Sequence, residues 1–255
     1  MKILIVNPNT TASMTEKIRV SARKAASLDT EITAVSSLEG PASIEGFFDE
    51  AMAIPGMLAT IQAADDFDAV IIACFDDTGL DAARCLTDKP VIGIGEAGYH
   101  IASVLSNKFS VVTTLARSVP ALEYNILRYG MERRCVRVRA SEIPVLELEN
   151  DSVKPVKILG NEIERAISED KAEAIVLGCA GMTDLAAELS KKFGLPVLDG
   201  VSCAVSMCES IVKMGLKTSR LGGYTQQPTH KLTVLNRLAS LENAGDLGQS
   251  SNKTD

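Results

Sequence analysis

The chain has 255 residues, 46% of them hydrophobic and 23% charged, enough for one large domain or two small ones. Its 26 Lys and Arg against 33 Asp and Glu give a net charge of −7 with no basic block, which argues against nucleic acid or an anionic membrane as a partner. Only two histidines, His100 and His230, stand beside six cysteines that form no C-x-x-C pair, so a structural zinc is not expected and thiols or carboxylates are the expected proton carriers.

The chain opens on a strand-like run, Ile3–Val6. No apolar stretch approaches the roughly 18 residues of a membrane span, and a signal peptide is not expected before the run. The expected compartment is the cytoplasm, where the cysteines remain thiols. A helix follows over 13–26, with Met14, Ile18 and Ala22 on one face, then a strand at Ile32–Val35. A second helix is read over 49–64, with Met52, Leu58 and Ile61 as its apolar positions. Further strands are read at Ala69–Ala73, Val91–Ile94, Ser110–Thr113, Ala174–Gly178 and Pro196–Leu198. Cys203 and Cys208 share a helix-like run with Val205 and Ile211 and are expected in the core, as are Cys85 and Cys135. Residues 245–255 are polar and aperiodic, a disordered tail. Continuous apolar strands between helices specify the α/β class with mainly parallel sheets.

An internal repeat organises these elements. Ala69-Val-Ile-Ile-Ala-Cys74-Phe-Asp-Asp-Thr78 aligns with Ala174-Ile-Val-Leu-Gly-Cys179-Ala-Gly-Met-Thr183, and Pro90-Val91-Ile92 with Pro196-Val197-Leu198. Ile3-Leu-Ile-Val-Asn-Pro-Asn-Thr10 resembles the run from Phe109 to Thr114. Two pseudo-symmetric α/β halves result, one from 1–98 plus about 208–244 and the other from 99–207, with an active site in the crevice between them. In open α/β sheets ligands lie beyond the carboxyl ends of the strands. Cys74 and Cys179 both occupy that edge, each before a helix that Thr78 or Asp77, and Thr183, could cap. A thiol beside a helix N-terminus is biased towards thiolate. Two such thiols facing one ligand suit a symmetric reaction, one removing a proton and the other returning it.

The runs Asn7-Pro-Asn-Thr10, Pro41-Ala-Ser43-Ile-Glu45-Gly46, Ile72-Ala-Cys74-Phe-Asp76-Asp-Thr-Gly79-Leu, Val112-Thr-Thr114 and Leu177-Gly-Cys179-Ala-Gly-Met182 resemble the hydantoin and allantoin racemases of the aspartate/glutamate racemase superfamily. The resemblance covers residue 1 to about Gly223. It implies a cofactor-independent two-base racemase with Cys74 and Cys179 as the opposed acid and base, and a homo-oligomer. Amino-acid racemases of the superfamily follow the first Cys with Asn-Thr, whereas this chain has Phe75-Asp76, which fits a cyclic-ureide substrate, with allantoin favoured over a 5-substituted hydantoin.

Such a substrate is a small neutral ring. The backbone N–H groups of Phe75 and Ala180 would stabilise an enolate oxygen, and Asn7, Ser43 and Thr114 would offer neutral hydrogen bonds. Asp76 would accept a ureide N–H, raise the Cys74 pKa, or cap the turn. Phe47, Phe48 and Tyr99 would wall the ring substituent. His100 is expected on a helix face and His230 in no role. Gly93-Ile-Gly95 lacks the third glycine of a dinucleotide fingerprint, and no lysine is singled out for pyridoxal phosphate, so no cofactor is expected. Two alternatives remain: a maleate-isomerase-like enzyme with one Cys as nucleophile, and a non-catalytic ligand-binding module.

Overall fold

The computed structural model of the chain describes residues 1–37, 39–149 and 153–228, so His230 and the expected tail lie outside the described residues. The first half begins with β1 (Lys2–Asn7), α1 (Ala12–Ala25), β2 (Glu31–Ser36) and α2 (Phe47–Ala63). It continues through β3 (Ala69–Ile72), the short α3 (Leu80–Arg84), β4 (Val91–Gly93) and α4 (Ile94–Leu105). The second half holds β5 (Phe109–Thr113), α5 (Val119–Arg128), β6 (Cys135–Ala140), α6 (Val153–Ser168), β7 (Ala174–Gly178), α7 (Ala186–Phe193), β8 (Val197–Asp199) and α8 (Gly200–Lys213).

Both sheets are fully parallel and have the same permuted order, β2-β1-β3-β4 and β6-β5-β7-β8. The repeat is therefore structural: β1 corresponds to β5 and β3 to β7, and each of those pairs is central in its sheet. Strands covered on both faces need apolar residues at every position, which is why β3, β5 and β7 are buried along their whole length. One hydrophobic core spans both halves. Ile3, Ile5 and Ala73 of the first sheet share it with Val111, Val176 and Leu198 of the second, and Met14, Ala97, Val201 and Cys208 fill it from α1, α4 and α8.

Helix α1 buries the stripe expected of it, Met14, Ile18 and Ala22. Helix α2 does not: Met52 is 55% exposed, and the buried face is Ala53, Met57 and Ile61. Its contact is set by Gly56, where a Cβ would lie 2.3 Å from the Glu39 carbonyl oxygen, so the loop after β2 presses directly on the helix backbone.

Strand β6 has no counterpart among the expected strands. Its run Cys-Val-Arg-Val-Arg-Ala carries two arginines, and Arg139 is nonetheless buried because Asp170, Glu169 and Glu162 neutralise it. The repeat alone would locate it, since β6 stands to β5 as β2 stands to β1. Cys203 and Cys208 are buried as expected, whereas Cys85 and Cys135 are only half-buried. After α8 the chain crosses back onto the first half. The Thr218 amide donates to the Asp88 carbonyl, Arg220 donates to the carbonyls of Arg84, Cys85 and Thr87, and the Tyr224 hydroxyl donates to Asp81.

Candidate active site

The loops at the carboxyl ends of β3 and β7 face each other across one shared cavity. Cys74, Phe75 and Asp76 line it from the first half, and Thr113, Thr114, Gly178, Cys179 and Ala180 from the second. The parallel central strands place both thiols here. A strand that runs into the crevice ends there, and the residue just beyond its last buried position points into the open.

The two cysteine loops turn alike. The Asp77 amide donates to the Cys74 carbonyl at 3.0 Å, and the Met182 amide to the Cys179 carbonyl at 3.1 Å. Beyond that turn the loops diverge. Cys179 itself is the N-cap of a 3-10 helix, Ala180–Leu185, and its sulfur accepts the Gly181 N–H at 3.4 Å. Thr183 does not cap this helix; its hydroxyl accepts from Ser21 of α1. After Cys74, helix α3 starts only at Leu80, and neither Asp77 nor Thr78 caps it. Cys74 therefore lacks the helix end that would favour its thiolate. Burial first, and then the negative charge of Asp76, push the Cys74 pKa well above its ordinary value, against hydrogen bonds from Thr78 and the Asp76 backbone that favour the thiolate.

Asp76 is itself pushed up by burial, against hydrogen bonds that favour its charge. Its carboxylate accepts from the Thr78 amide and hydroxyl, while its carbonyl accepts from Asn125 of α5 at 2.6 Å. Phe75 packs its ring edge-on against Tyr99 at 5.3 Å and is among the residues that line the cavity. The amides of Phe75 and Ala180 have no acceptor among the described residues, and neither has the Thr114 hydroxyl a partner there. These are the open polar groups of the site.

Asn7 and Ser43 do not line the cavity. Asn7 is buried, and its amide is spent on Asn9 and Thr15, holding the loop from β1 into α1. Asn9 and Ile44, their near neighbours in sequence, line it instead. The expected walls are also different. Phe47 and Phe48 are exposed, Tyr99 is wholly buried behind Phe75, and the apolar lining is Met14, Ile44, Leu122 and Val145. Helical periodicity shows which residues are apolar but not which face the crevice. His100 sets its Nδ1 at 2.8 Å from the Glu96 carbonyl on α4 and stands outside the cavity.

Two acidic residues, Glu45 and Asp77, hold the two halves together beside the site. Glu45 is buried at the rim. Its carboxylate accepts the Val145 amide at 2.9 Å and pairs with Arg117, and the Ser118 hydroxyl donates to its carbonyl, so one residue of the first half bonds three of the second. Asp77 has a left-handed backbone (φ 55°) and caps α4, accepting from the Gly95 and Glu96 amides and from the Tyr129 hydroxyl at 2.8 Å. A Cβ at Gly93 would lie 2.0 Å from the Asp77 carboxylate, and one at Gly95 would lie 2.3 Å from the Phe75 carbonyl oxygen and 2.8 Å from Asp77. That accounts for the Gly-x-Gly run. The sequence signal for Asp77 was this glycine pair, and for Glu45 its place in the Pro41–Gly46 run.

Comparison with known proteins decides the family. The Asp/Glu/Hydantoin racemase family model matches residues 3–208. The chain belongs to this family. It is 46% identical to a hydantoin racemase of Pseudomonas sp. (strain NS671) over 96% of this chain and 97% of that one. It is 50% identical to a hydantoin racemase of Rhizobium meliloti, covering 88% and 94%. The solved allantoin racemase of Klebsiella pneumoniae superposes with a TM-score of 0.88 at 44% identity, covering 89% and 94%. A glutamate racemase of Francisella tularensis, 16% identical with a TM-score of 0.61, shares the fold. The chain is thus a racemase, an isomerase with the two-sheet fold of its family. Among the described residues no helix is long and apolar enough to cross a membrane.

Proposed function

We propose that the chain racemises a small cyclic ureide, allantoin or a 5-substituted hydantoin, at the ring carbon between carbonyl and nitrogen, using Cys74 and Cys179 as opposed acid and base. The observation that carries this reading is that two thiols from equivalent strand ends of opposite sheets line one cavity. The names of the full-length relatives supply the ring class.

The chemistry is a proton exchange at carbon. One cysteine, as thiolate, takes the hydrogen from its face of the ring, and the electron pair of the broken C–H bond moves into the adjacent carbonyl as an enolate. Open N–H donors are what such an oxygen requires, and the amides of Phe75 and Ala180 are of that kind. The other cysteine, as thiol, delivers its proton to the opposite face while the enolate pair returns to carbon. Thr114 offers its hydroxyl to the ureide edge, the Ser118 oxygen, whose hydrogen is donated to the Glu45 carbonyl, can only accept there, and Met14, Ile44, Leu122 and Val145 enclose the ring substituent. The ligand is neutral, so the net charge of −7 does not oppose its binding.

The test uses enantiopure allantoin and 5-alkyl hydantoins in deuterated water. Loss of optical rotation should accompany deuterium entry at the ring carbon, both above the uncatalysed rate. Cys74→Ser and Cys179→Ser should each abolish racemisation. Racemisation that survives either substitution refutes the two-base assignment.

A further inference from the structure

Each cysteine loop is fastened to a helix of the opposite half. Helix α5, which follows β5 in the second half, turns one face to the loop after Cys74. Ser118 and Leu122 on that face line the cavity. Asn125 and Tyr129 continue the same stripe at helical spacing. The buried Asn125 side chain donates to the Asp76 carbonyl at 2.6 Å, and the Tyr129 hydroxyl donates to the Asp77 carboxylate at 2.8 Å. Asp77 in turn closes the loop, its amide donating to the Cys74 carbonyl at 3.0 Å.

Helix α1, which follows the equivalent strand β1 in the first half, does the same for Cys179. Met14 lines the cavity, and Ser21, two helical turns further on, shares its buried face. The Ser21 hydroxyl donates at 2.8 Å to that of Thr183, which stands in the 3-10 helix capped by Cys179. The contacts are therefore reciprocal: the first half holds the second half's thiol loop, and the second half holds the first's.

Building on the two-base reading, we propose that this reciprocal clamp sets the reach of each thiol, with Asn125 and Tyr129 as positioning residues for Cys74 and Ser21 as the positioning residue for Cys179. None of the three lines the cavity, so each acts through the loop it holds. Proton transfer needs the reacting atoms about 3–3.5 Å apart, and a misplacement of about 1 Å can cost about a hundredfold in rate. Because each loop is tied across the crevice, the two sulfurs are placed against one another and not only against their own sheets. Asp77 is also held by the Gly95 and Glu96 amides of α4, so removing one α5 contact loosens the Cys74 loop without releasing it.

Isotope effects tell which thiol has moved. The two enantiomers are equal in energy, so a displaced thiol lowers kcat/KM alike in both directions. If Cys74 is displaced, the enantiomer whose hydrogen faces it meets the slowed step at C–H cleavage, and its deuterium isotope effect rises. The other enantiomer is cleaved by Cys179 and meets the slowed step at reprotonation, so its isotope effect falls. A displaced Cys179 reverses the two. Loss of stability alone removes active molecules and moves neither.

The experiment measures initial rates of the full chain in ordinary water for both enantiomers of a 5-alkyl hydantoin and of allantoin, with hydrogen or deuterium at the ring carbon. Tyr129→Phe and Asn125→Leu should each lower kcat about tenfold with KM within about twofold of wild type, and shift the difference between the two isotope effects in one sense. Ser21→Ala should shift that difference in the opposite sense, and Ser21→Thr, which keeps the hydroxyl, should hold the wild-type value. A difference unmoved in Ser21→Ala overturns the proposal, as does one that moves in the same sense in Ser21→Ala and Tyr129→Phe. If the α5 variants fail to fold, Ser21→Ala against Ser21→Thr decides. Unmoved isotope effects with both cysteine-to-serine variants inactive remove the clamp and keep the two-base reading. Racemisation that survives in Cys74→Ser or Cys179→Ser refutes that reading, and the clamp with it.

Discussion

Tyr99 and Tyr129 have rings 6.2 Å apart in the interface between the halves, and the same substitution in each should change stability in opposite directions. Tyr99 is wholly buried, with its ring against Phe75 and Phe109, and its hydroxyl has no hydrogen-bond partner among the described residues. An unpaired buried hydroxyl costs about 1–3 kcal/mol of desolvation. Tyr99→Phe removes that cost and leaves a void the size of one oxygen, worth only about 0.2 kcal/mol at roughly 24 cal/mol per Å³. The net expectation is a gain of about 1 kcal/mol, or about 2–4 °C in Tm for a chain of this size. The Tyr129 hydroxyl instead donates to the buried Asp77 carboxylate at 2.8 Å. Tyr129→Phe deletes a hydrogen bond to a charged group and should cost about 1.5–3 kcal/mol. Urea unfolding of both variants, with the slope m unchanged, reads the two shifts in midpoint directly. A loss of 1 kcal/mol or more in Tyr99→Phe would refute the reasoning, because it would mean that the hydroxyl is satisfied in the folded protein.

Three further outcomes rest on named groups. Burial pushes the Asp77 pKa up to about 7 from 3.8, so the folded state holds that proton more tightly than the unfolded chain and stability falls as pH rises between those values, by up to about 4 kcal/mol. The difference in unfolding free energy between wild type and Asp77→Asn should therefore change with pH over that window, and a constant difference would exclude the assignment. Asp170→Asn strips its strongest partner from Arg139, which is 3% exposed, and should lower stability by about 3–5 kcal/mol in a denaturant titration, whereas Arg165→Ala, which breaks surface pairs with Glu162 and Glu169, should cost about 0.5 kcal/mol. Glu45→Ala leaves the buried Val145 amide without its acceptor and should cost about 1–3 kcal/mol and raise KM more than it lowers kcat, while Glu45→Gln, which keeps an acceptor there, should stay near wild type in both.

Local pattern alone makes part of this fold legible. The strands β1, β3, β5 and β7 show as unbroken apolar runs because each is covered on both faces. Strand β6 does not show, since burying Arg139 depends on carboxylates 23 to 31 residues downstream, Glu162, Glu169 and Asp170. Periodicity puts Met52 on the apolar face of α2, yet it is exposed because the loop after β2, and not the sheet alone, decides how that helix is rotated.

The sequence by itself determined the α/β class, the repeat, and the pair Cys74 and Cys179 out of six cysteines, since all three are properties of order and spacing along one chain. Tertiary structure decided the rest of the site. It spent Asn7 on its own loop and gave its place at the cavity to Asn9, put Phe47 and Phe48 outside, and brought Glu45 and Asp77 into contact with the second half. It also gave the two cysteine loops, which the repeat alone had made equivalent, different helix ends: a 3-10 helix directly after Cys179, and a helix only from Leu80 after Cys74. The physical reason is range. Backbone pattern is set by neighbours in sequence, whereas which polar groups reach the cavity is set by partners that only the fold brings within hydrogen-bonding distance, as with Glu45 and Val145 or Asp77 and Tyr129.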